Sequence, residues 1–408
     1  MLSVSEARQR LLDALQPCDA ETIRLSQASQ RVLAESISAN MDSPRFDNSS
    51  MDGFALRAAD VEMASVARPV RLAVIGDLPA GAAFEGSIQG GQAMRIMTGA
   101  ELPTGADAVV PVEDTDTPVA VAGAALPKEV EVRRALKPGA FVRPAGQDFH
   151  NGDMLLLEGA RLRPQDLALI AMLGKGELRV HRKPRVAIFS SGNELLPVSQ
   201  ALLPGRIYET NSHALSALVE GCGAEPILLG IARDDLRDVQ RHLDQAVDSG
   251  ADLILTSAGV SVGAFDYLRE AVLSDGTLDF WKVNMRPGRP FAFGAYRQIP
   301  YIGLPGNPAS AFVGFEVFVR PALQKLAGVK NWSRQTLEGR LVEAISSDGR
   351  ESYLRVRIKR GNGAPEILLT GHQGSGNLYS LVRADGLMVV PAGVTLCPPG
   401  SQMEVWPL

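Results

Sequence analysis

"RVAIFSSG" (185–192) is a compact apolar run that stops at two hydroxyls and a glycine. A short apolar run closed by turn-forming residues reads as a buried strand. "TNSHALSALVEGCG" (210–223) follows with helical spacing and closes on glycine. The pattern then recurs. "PILLGIARDD" (226–235) reads as a strand and "LRDVQRHLDQAVDSG" (236–250) as a helix. "ADLILTSAGVS" (251–261) reads as a strand, with a helix through "DYLREAVLSDG" (266–276). "FAFGAYRQIPYIGLPG" (291–306) gives a hairpin and a final strand, and "NPASAFVGFEVFVRPALQKL" (307–326) a closing helix. Strands alternating with helices imply right-handed crossovers and a doubly wound, mostly parallel sheet.

Ligands of such sheets bind beyond the carboxyl ends of the strands. Here those ends carry Ser191, Gly192 and Glu194, then Asp234 and Asp235, then Thr256, Ser257, Gly259, Ser261 and Asp266. The last strand ends in Pro305, Gly306 and Asn307, with Ser310 just beyond, and Asn307-Pro308 reads as the N-cap and first position of the closing helix. Each piece has a plain structural reading: either aspartate can cap the next helix, and "SSG" is an ordinary tight turn. Taken together, hydroxyls, glycines, a helix N-terminus and acids on one rim suit an anionic phosphorylated ligand with a divalent cation. Neither GxxxxGK[ST] nor GxGxxG occurs, which excludes the P-loop and Rossmann dinucleotide readings. "WKVNMRPGRPFAFG" (281–294) places Lys282, Arg286 and Arg289 within eight residues. Alone it is a solvated basic loop; beside an anion-binding rim it becomes a clamp.

On the N-terminal side, Ser3 and Glu6 have capping-box spacing, and Val4, Ala7, Leu11 and Leu15 recur at helical intervals. Short β-like runs such as "VRLAVIGDL" (70–78) and "DAVVPVED" (107–114) alternate with Gly- and Pro-rich turns, predicting a small β domain. It opens with "FDNSSMDGFAL" (46–56), where Asp52 precedes Gly53, by itself an Asp-Gly turn. "RPQDLALIAMLGKG" (163–176) predicts a helix with Gly174 as C-cap. Beyond residue 328, "SYLRVRIKRG" (352–361), "GLMVVPAG" (386–393) and "QMEVWPL" (402–408) predict a C-terminal barrel or sandwich.

The 408 residues exceed one ordinary domain, and 45% apolar with 21% charged residues is a globular composition. A net charge of −5 argues against a nucleic-acid surface. Three scattered cysteines make no CxxC, and the five histidines show no metal spacing. The N-terminus lacks an apolar signal core and no run is long enough to span a bilayer, so a cytoplasmic protein with no membrane partner is expected.

Several stretches together carry a family resemblance: "FDNSSMDGFA", "RIMTGAELPTGADAVVPVED", "VRPAGQDFHNGD", "TSAGVSVGAFDY", "RPGRPFAFG", "GLPGNPAS" and "TGHQGS". The chain resembles the molybdopterin molybdenumtransferases, the MoeA family that also includes the E domain of gephyrin. The resemblance implies a multidomain fold and a homodimer. Its parts would be an extended helical domain from 1–45 and 138–178, a small β domain at 46–137, a doubly wound molybdopterin-binding α/β domain at 179–326 and a C-terminal β-barrel at 327–408. It implies insertion of molybdenum from molybdate into adenylylated molybdopterin, with magnesium (or zinc) and release of AMP.

By motif, Asp52 and Thr98 would enter the cleft from the partner subunit, while Glu194, Asp234, Asp266, Lys282 and Arg286 match catalytic positions. Asp52, Glu194 and Asp266 would hold the metal, and "SSG", "TSAGVS" and "PGNP" the nucleotide and phosphates. Lys282, Arg286 and Arg289 with Ser310, Arg355 and Ser375 would gather molybdate. The chain departs from the family in Arg286-Pro-Gly-Arg289 where lysines are common, and in Asn193, Ala258 and Ala264. Asn193 and Ala264 stand where acids are common, leaving fewer carboxylates for a metal. The rival readings are a molybdopterin adenylyltransferase and a non-catalytic scaffold. Other proteins of the pathway are further expected partners.

Overall fold

The run at 186–189 becomes an interior strand of a six-stranded sheet, and its alternation sorts side chains to two faces. Val186 and Ile188 join one buried cluster with the closing helix, whereas Ala187 and Phe189 join another with the helix Leu236–Asp248. Burial on both faces explains why this strand reads as a continuous apolar run. The computed structural model describes residues 1–117, 125–258, 264–361 and 363–408, with only the backbone described at 264–266.

Arg185–Ser191 pairs in parallel with Glu225–Ala232 and Leu253–Ala258, and the latter in parallel with Ile299–Pro305. Two antiparallel strands, Pro290–Tyr296 and then Gly276–Lys282, complete the edge. The sheet is thus doubly wound and mixed, with its parallel part as expected. Gly276–Lys282 gives no strand signal in the sequence because it is half-exposed: only Phe280 is buried in it. Register brings Ser191 level with Ala232 and Ala258, and Ala258 level with Pro305, so four strand ends share one rim.

The closing helix starts at Asn307 with Pro308 in its first turn, as the sequence suggests. It runs Pro308–Gly314, widens to a π-turn at Phe315–Val319, and continues as Arg320–Leu326. The C-terminal region is a closed five-stranded barrel of Leu337–Leu341, Glu351–Lys359, Glu366–Leu369, Gly386–Val390 and Gln402–Pro407. A two-residue strand, Met285–Arg286, pairs alongside Glu351 and Ser352 and so joins the basic loop to the barrel.

The N-terminal helix Val4–Asp13 has the full capping box, and Val4, Ala7, Leu11 and Leu15 are all buried. Residues 1–45 and 138–178, expected to be helical, carry two α-helices, Val4–Asp13 and Pro164–Met172, and otherwise short β-ladders. By compactness the chain forms two units. One comprises Met1–Glu35, Glu158–Ala171 and Lys175–Leu408, the other Ser36–Leu157 with Met172–Gly174. The second unit contains a five-stranded sheet of Gly53–Leu56, Val70–Leu78, Gln92–Ile96, Ala108–Pro111 and Glu129–Val132. Among the described residues no helix is long and apolar enough to cross a membrane.

Candidate functional site

At the rim of the doubly wound sheet lies a cleft of about 340 Å³. Ser191, Glu194, Ser257, Gly306 and Asn307 line it, together with Tyr208, Glu209, Thr210 and Asn211. The first five come from the strand ends that the sequence marked. Of the others, Tyr208, Glu209 and Thr210 precede the helix Asn211–Gly221 and Asn211 opens it; the sequence marks only Thr210 and Asn211, as the start of that helix.

The hydrogen bonds show what each does. Glu209 is buried and accepts from the Ser190 hydroxyl (2.8 Å), the Ser212 N–H (2.8 Å) and the Ser212 hydroxyl. The Asn211 amide donates to Ser257 Oγ and to the Gly306 carbonyl, both at 2.8 Å, and so fixes two of the strand ends. Asp234 accepts from Ser191 Oγ and from the Asn193 N–H, each at 3.0 Å, and thereby shapes the 191–193 turn. Its neighbour Asp235 instead caps the helix Leu236–Asp248 through the Asp238 N–H at 2.9 Å. Glu194 folds its carboxylate over Gly192, where a Cβ would stand 2.7 Å from Glu194 Oε2. Thr256 does not reach the rim: it is buried against the Tyr301 hydroxyl at 2.8 Å, in a dry site that pushes the phenol up to about 12. Gly259 and Ser261 lie outside the described residues, and of Asp266 only the backbone, in the helix Ala264–Ser274, is described.

The basic loop leaves the sheet edge at Lys282 and is closed at its neck by the Val283 N–H donating to the Arg289 carbonyl at 3.1 Å. Lys282, Arg286 and Arg289 are all exposed. Among the described residues Lys282 and Arg289 pair with no carboxylate, while Arg286 stands 3.7 Å from Asp348. Across the barrel edge, Arg355 is fully buried. Its Nε donates to Ser380 Oγ and its Nη2 to the Gly374 carbonyl, both at 3.0 Å, but among the described residues its Nη1 has no partner. Burial, then the nearby positive charge of Arg286, pulls the guanidinium down to about 10. A buried cation with an unpartnered donor and a second cation close by has the chemistry that suits an anion. Ser375 adjoins the closing helix, its Oγ accepting from the Asn307 amide at 3.1 Å and its carbonyl from the Ala309 N–H at 3.0 Å. Ser310 is buried in the first turn of that helix.

Residues 2–174 match the MoeA N-terminal region (domain I and II), 187–325 the probable molybdopterin binding domain, and 338–408 the MoeA C-terminal region (domain IV). The chain is 38% identical to molybdopterin molybdenumtransferase 2 of Mycobacterium tuberculosis over 416 aligned residues, covering 100% of both chains. It is 37% identical to molybdopterin molybdenumtransferase of Nostoc sp., over 95% of this chain and 88% of that one. The chain belongs to the molybdopterin molybdenumtransferase family. A molybdopterin biosynthesis MoeA protein from Pyrococcus horikoshii has the same fold, with a TM-score of 0.84 at 30% identity and full coverage of both chains. The family is one of transferases.

In the region matching domains I and II of this family, Asp52 and Thr98 are brought together in the second compact unit. Asp52 Oδ1 accepts from both the Thr98 N–H and the Thr98 hydroxyl at 2.7 Å, and the carboxylate remains exposed. Gly53 does not make the tight bend expected of an Asp-Gly pair. It begins a strand so close to its neighbour that a Cβ would lie 1.9 Å from the Val110 carbonyl oxygen. Ser49 supplies the local turn, bonding the backbone of Met51.

The buried His242 and the half-buried His181 are structural. His242 bonds the Asp238 carbonyl at 2.7 Å and packs on Phe189, and His181 bonds the Cys18 carbonyl at 2.7 Å. Among the described residues no group of three or more His, Cys, Asp or Glu side chains is placed to hold a metal.

Proposed function

We propose that this chain inserts molybdenum from molybdate into adenylylated molybdopterin, releasing AMP, as a cytoplasmic homodimer acting in molybdenum cofactor biosynthesis. The observation that carries the reading is Arg355: buried, with Nη1 unpartnered, beside Arg286. Molybdate is a tetrahedral dianion, and guanidinium forks match such an oxyanion. Lys282, Arg286, Arg289 and Arg355, with Ser310 and Ser375, would collect it where the closing helix meets the barrel.

The cleft beside Ser191, Gly192, Ser257, Pro305, Gly306 and Asn307 would take the phosphates and pterin, with Gly259 and Ser261 assigned to the same group by resemblance. Asn211 and Glu209 would hold that rim rigid. A rim of oxygen donors alone fits a hard cation such as magnesium better than zinc, which favours nitrogen and sulfur. Magnesium often binds through one or two carboxylates plus substrate phosphates. Glu194, with Asp266 and the partner subunit's Asp52, is the set we assign to it. When bound, the ion would neutralise charge on the pyrophosphate. We assign Asp234 to positioning of the 191–193 turn, and Thr98 to holding Asp52 in one orientation. Four segments follow for the chain as a working division: 1–45 with 138–178, 46–137, 179–326 and 327–408.

In the reaction an oxygen nucleophile attacks the adenylyl phosphorus. The phosphoanhydride bond breaks, AMP departs with the added oxygen, and the second phosphate stays on the pterin. Site carboxylates would take the proton released by attacking water. The test follows AMP release from adenylylated molybdopterin and Mg²⁺, with and without molybdate. AMP formed only, or far faster, with molybdate is expected. No AMP under either condition, in folded protein, overturns the reading in favour of a binding scaffold.

A further inference from the structure

We propose that Asp348 is a built-in counter-anion of Arg286, a positioning residue that competes with the incoming oxyanion and sets its affinity; this rests on reading the 282–289 loop and Arg355 as the oxyanion site. Asp348 Oδ2 lies 3.7 Å from Arg286 Nη1, close enough for attraction but too far for a hydrogen bond. The same oxygen accepts from Arg350 Nε at 3.1 Å and Nη2 at 2.5 Å. Arg350 Nη1 in turn donates to the Met285 carbonyl at 3.3 Å, and Met285–Arg286 pairs with Glu351–Ser352. The carboxylate is therefore fixed at the root of the basic loop by a β-ladder and an arginine, and its place beside Arg286 is not an accident of a mobile surface.

Asp348 stays ionised at any physiological pH, because the Arg350 hydrogen bonds hold its carboxyl down at about 2. An arriving dianion thus meets the cations of the loop together with one permanent negative charge. The Arg286–Asp348 contact is half-exposed and lacks a hydrogen bond, so it is weak. A tetrahedral oxyanion that offers Arg286 and Arg355 direct hydrogen bonds displaces it. In the free protein the pair keeps Arg286 oriented and limits repulsion between Arg286 and buried Arg355. The penalty falls equally on every dianion, sulfate included, so it lowers occupancy of the clamp without discriminating among oxyanions.

The test is Asp348→Asn in the full chain, titrated with sodium molybdate and separately with sodium sulfate by calorimetry at low salt. Both dissociation constants should fall about two- to fivefold, the scale of one exposed charge interaction. The molybdate KM for AMP release should fall by the same factor with kcat unmoved, and Asp348→Glu should restore the wild-type values. A merely structural Asp348 would alter melting temperature without this split. Unchanged or weaker molybdate affinity in folded Asp348→Asn overturns the inference alone. Asp348→Ser, with the same expected outcome, decides the matter should the asparagine variant not fold. A wild-type chain that binds no molybdate overturns the oxyanion reading itself.

Discussion

Two buried charges in this molecule have opposite surroundings. In the closing helix Glu316 is 2% exposed and every oxygen is answered. Arg320 grips it as a fork, with Nε and Nη2 each at 2.7 Å, and Arg334 Nη2 reaches both its carboxylate and its carbonyl at 2.7 Å. Arg334 also lies over the Trp406 ring at 4.7 Å, which ties the linker to the barrel. In the barrel Arg355 is equally buried, yet among the described residues it has no carboxylate partner and its Nη1 is left empty-handed. A buried charge with complete partners holds structure; one with an unanswered donor is kept for something that arrives.

That contrast breaks if the two sites respond alike to mutation. Glu316→Gln leaves two arginines short of their counter-charge, so it should cost about 3–5 kcal/mol in denaturant unfolding, the range for breaking a buried pair. Burial alone would raise the Glu316 carboxyl, but the arginine bonds outweigh it and the net shift is downward from 4.5. A lowered folded pKa means the contribution is full above about pH 4.5 and is lost as pH falls through the lower, folded value. The gap between wild type and Glu316→Gln should therefore close in acid.

Arg355→Met should do the reverse. Removing an unpaired buried charge for an apolar side chain leaves stability unchanged or raises it by up to about 2 kcal/mol. Molybdate-dependent AMP release should nonetheless fall about 100-fold, the scale of a lost oxyanion donor. Loss of stability with activity retained would mean that Arg355 is structural after all. A smaller version of the contrast lies in the adjacent acids of the second strand end. Asp235→Ala should cost about 1 kcal/mol as a lost helix cap, read by thermal melting, with AMP release unchanged.

How much of this could be read from the chain is visible residue by residue. The strand 185–191, the cap at Ser3 and the helix start at Pro308 are legible because they rest on local periodicity, local hydrogen bonding and the fixed φ of proline, whereas the Asn307 side chain makes no cap bond and reaches Ser375 instead. The half-exposed strand Gly276–Lys282 was not, since an edge strand lacks a continuous apolar signature. Position at a strand end puts Thr256 on the rim, but period-two alternation turns it into the core beside Tyr301. Asn211 reads as the opening of a helix, and Glu209 carries no local signal at all. Only their bonds to Ser190, Ser257 and Gly306, far along the chain, make them braces of the cleft.

The sequence by itself determined the alternation that makes the doubly wound sheet, the residues at its strand ends and the motifs that mark the family. Those are properties of neighbouring residues, encoded in spacing and side-chain chemistry. Only the tertiary structure decided that Asp234 shapes a turn while Asp235 caps a helix, that Arg286 faces Asp348, and that Arg355 is buried with one donor unanswered. Each of those depends on which distant groups share a low-dielectric neighbourhood, and burial is set by packing rather than by any local pattern.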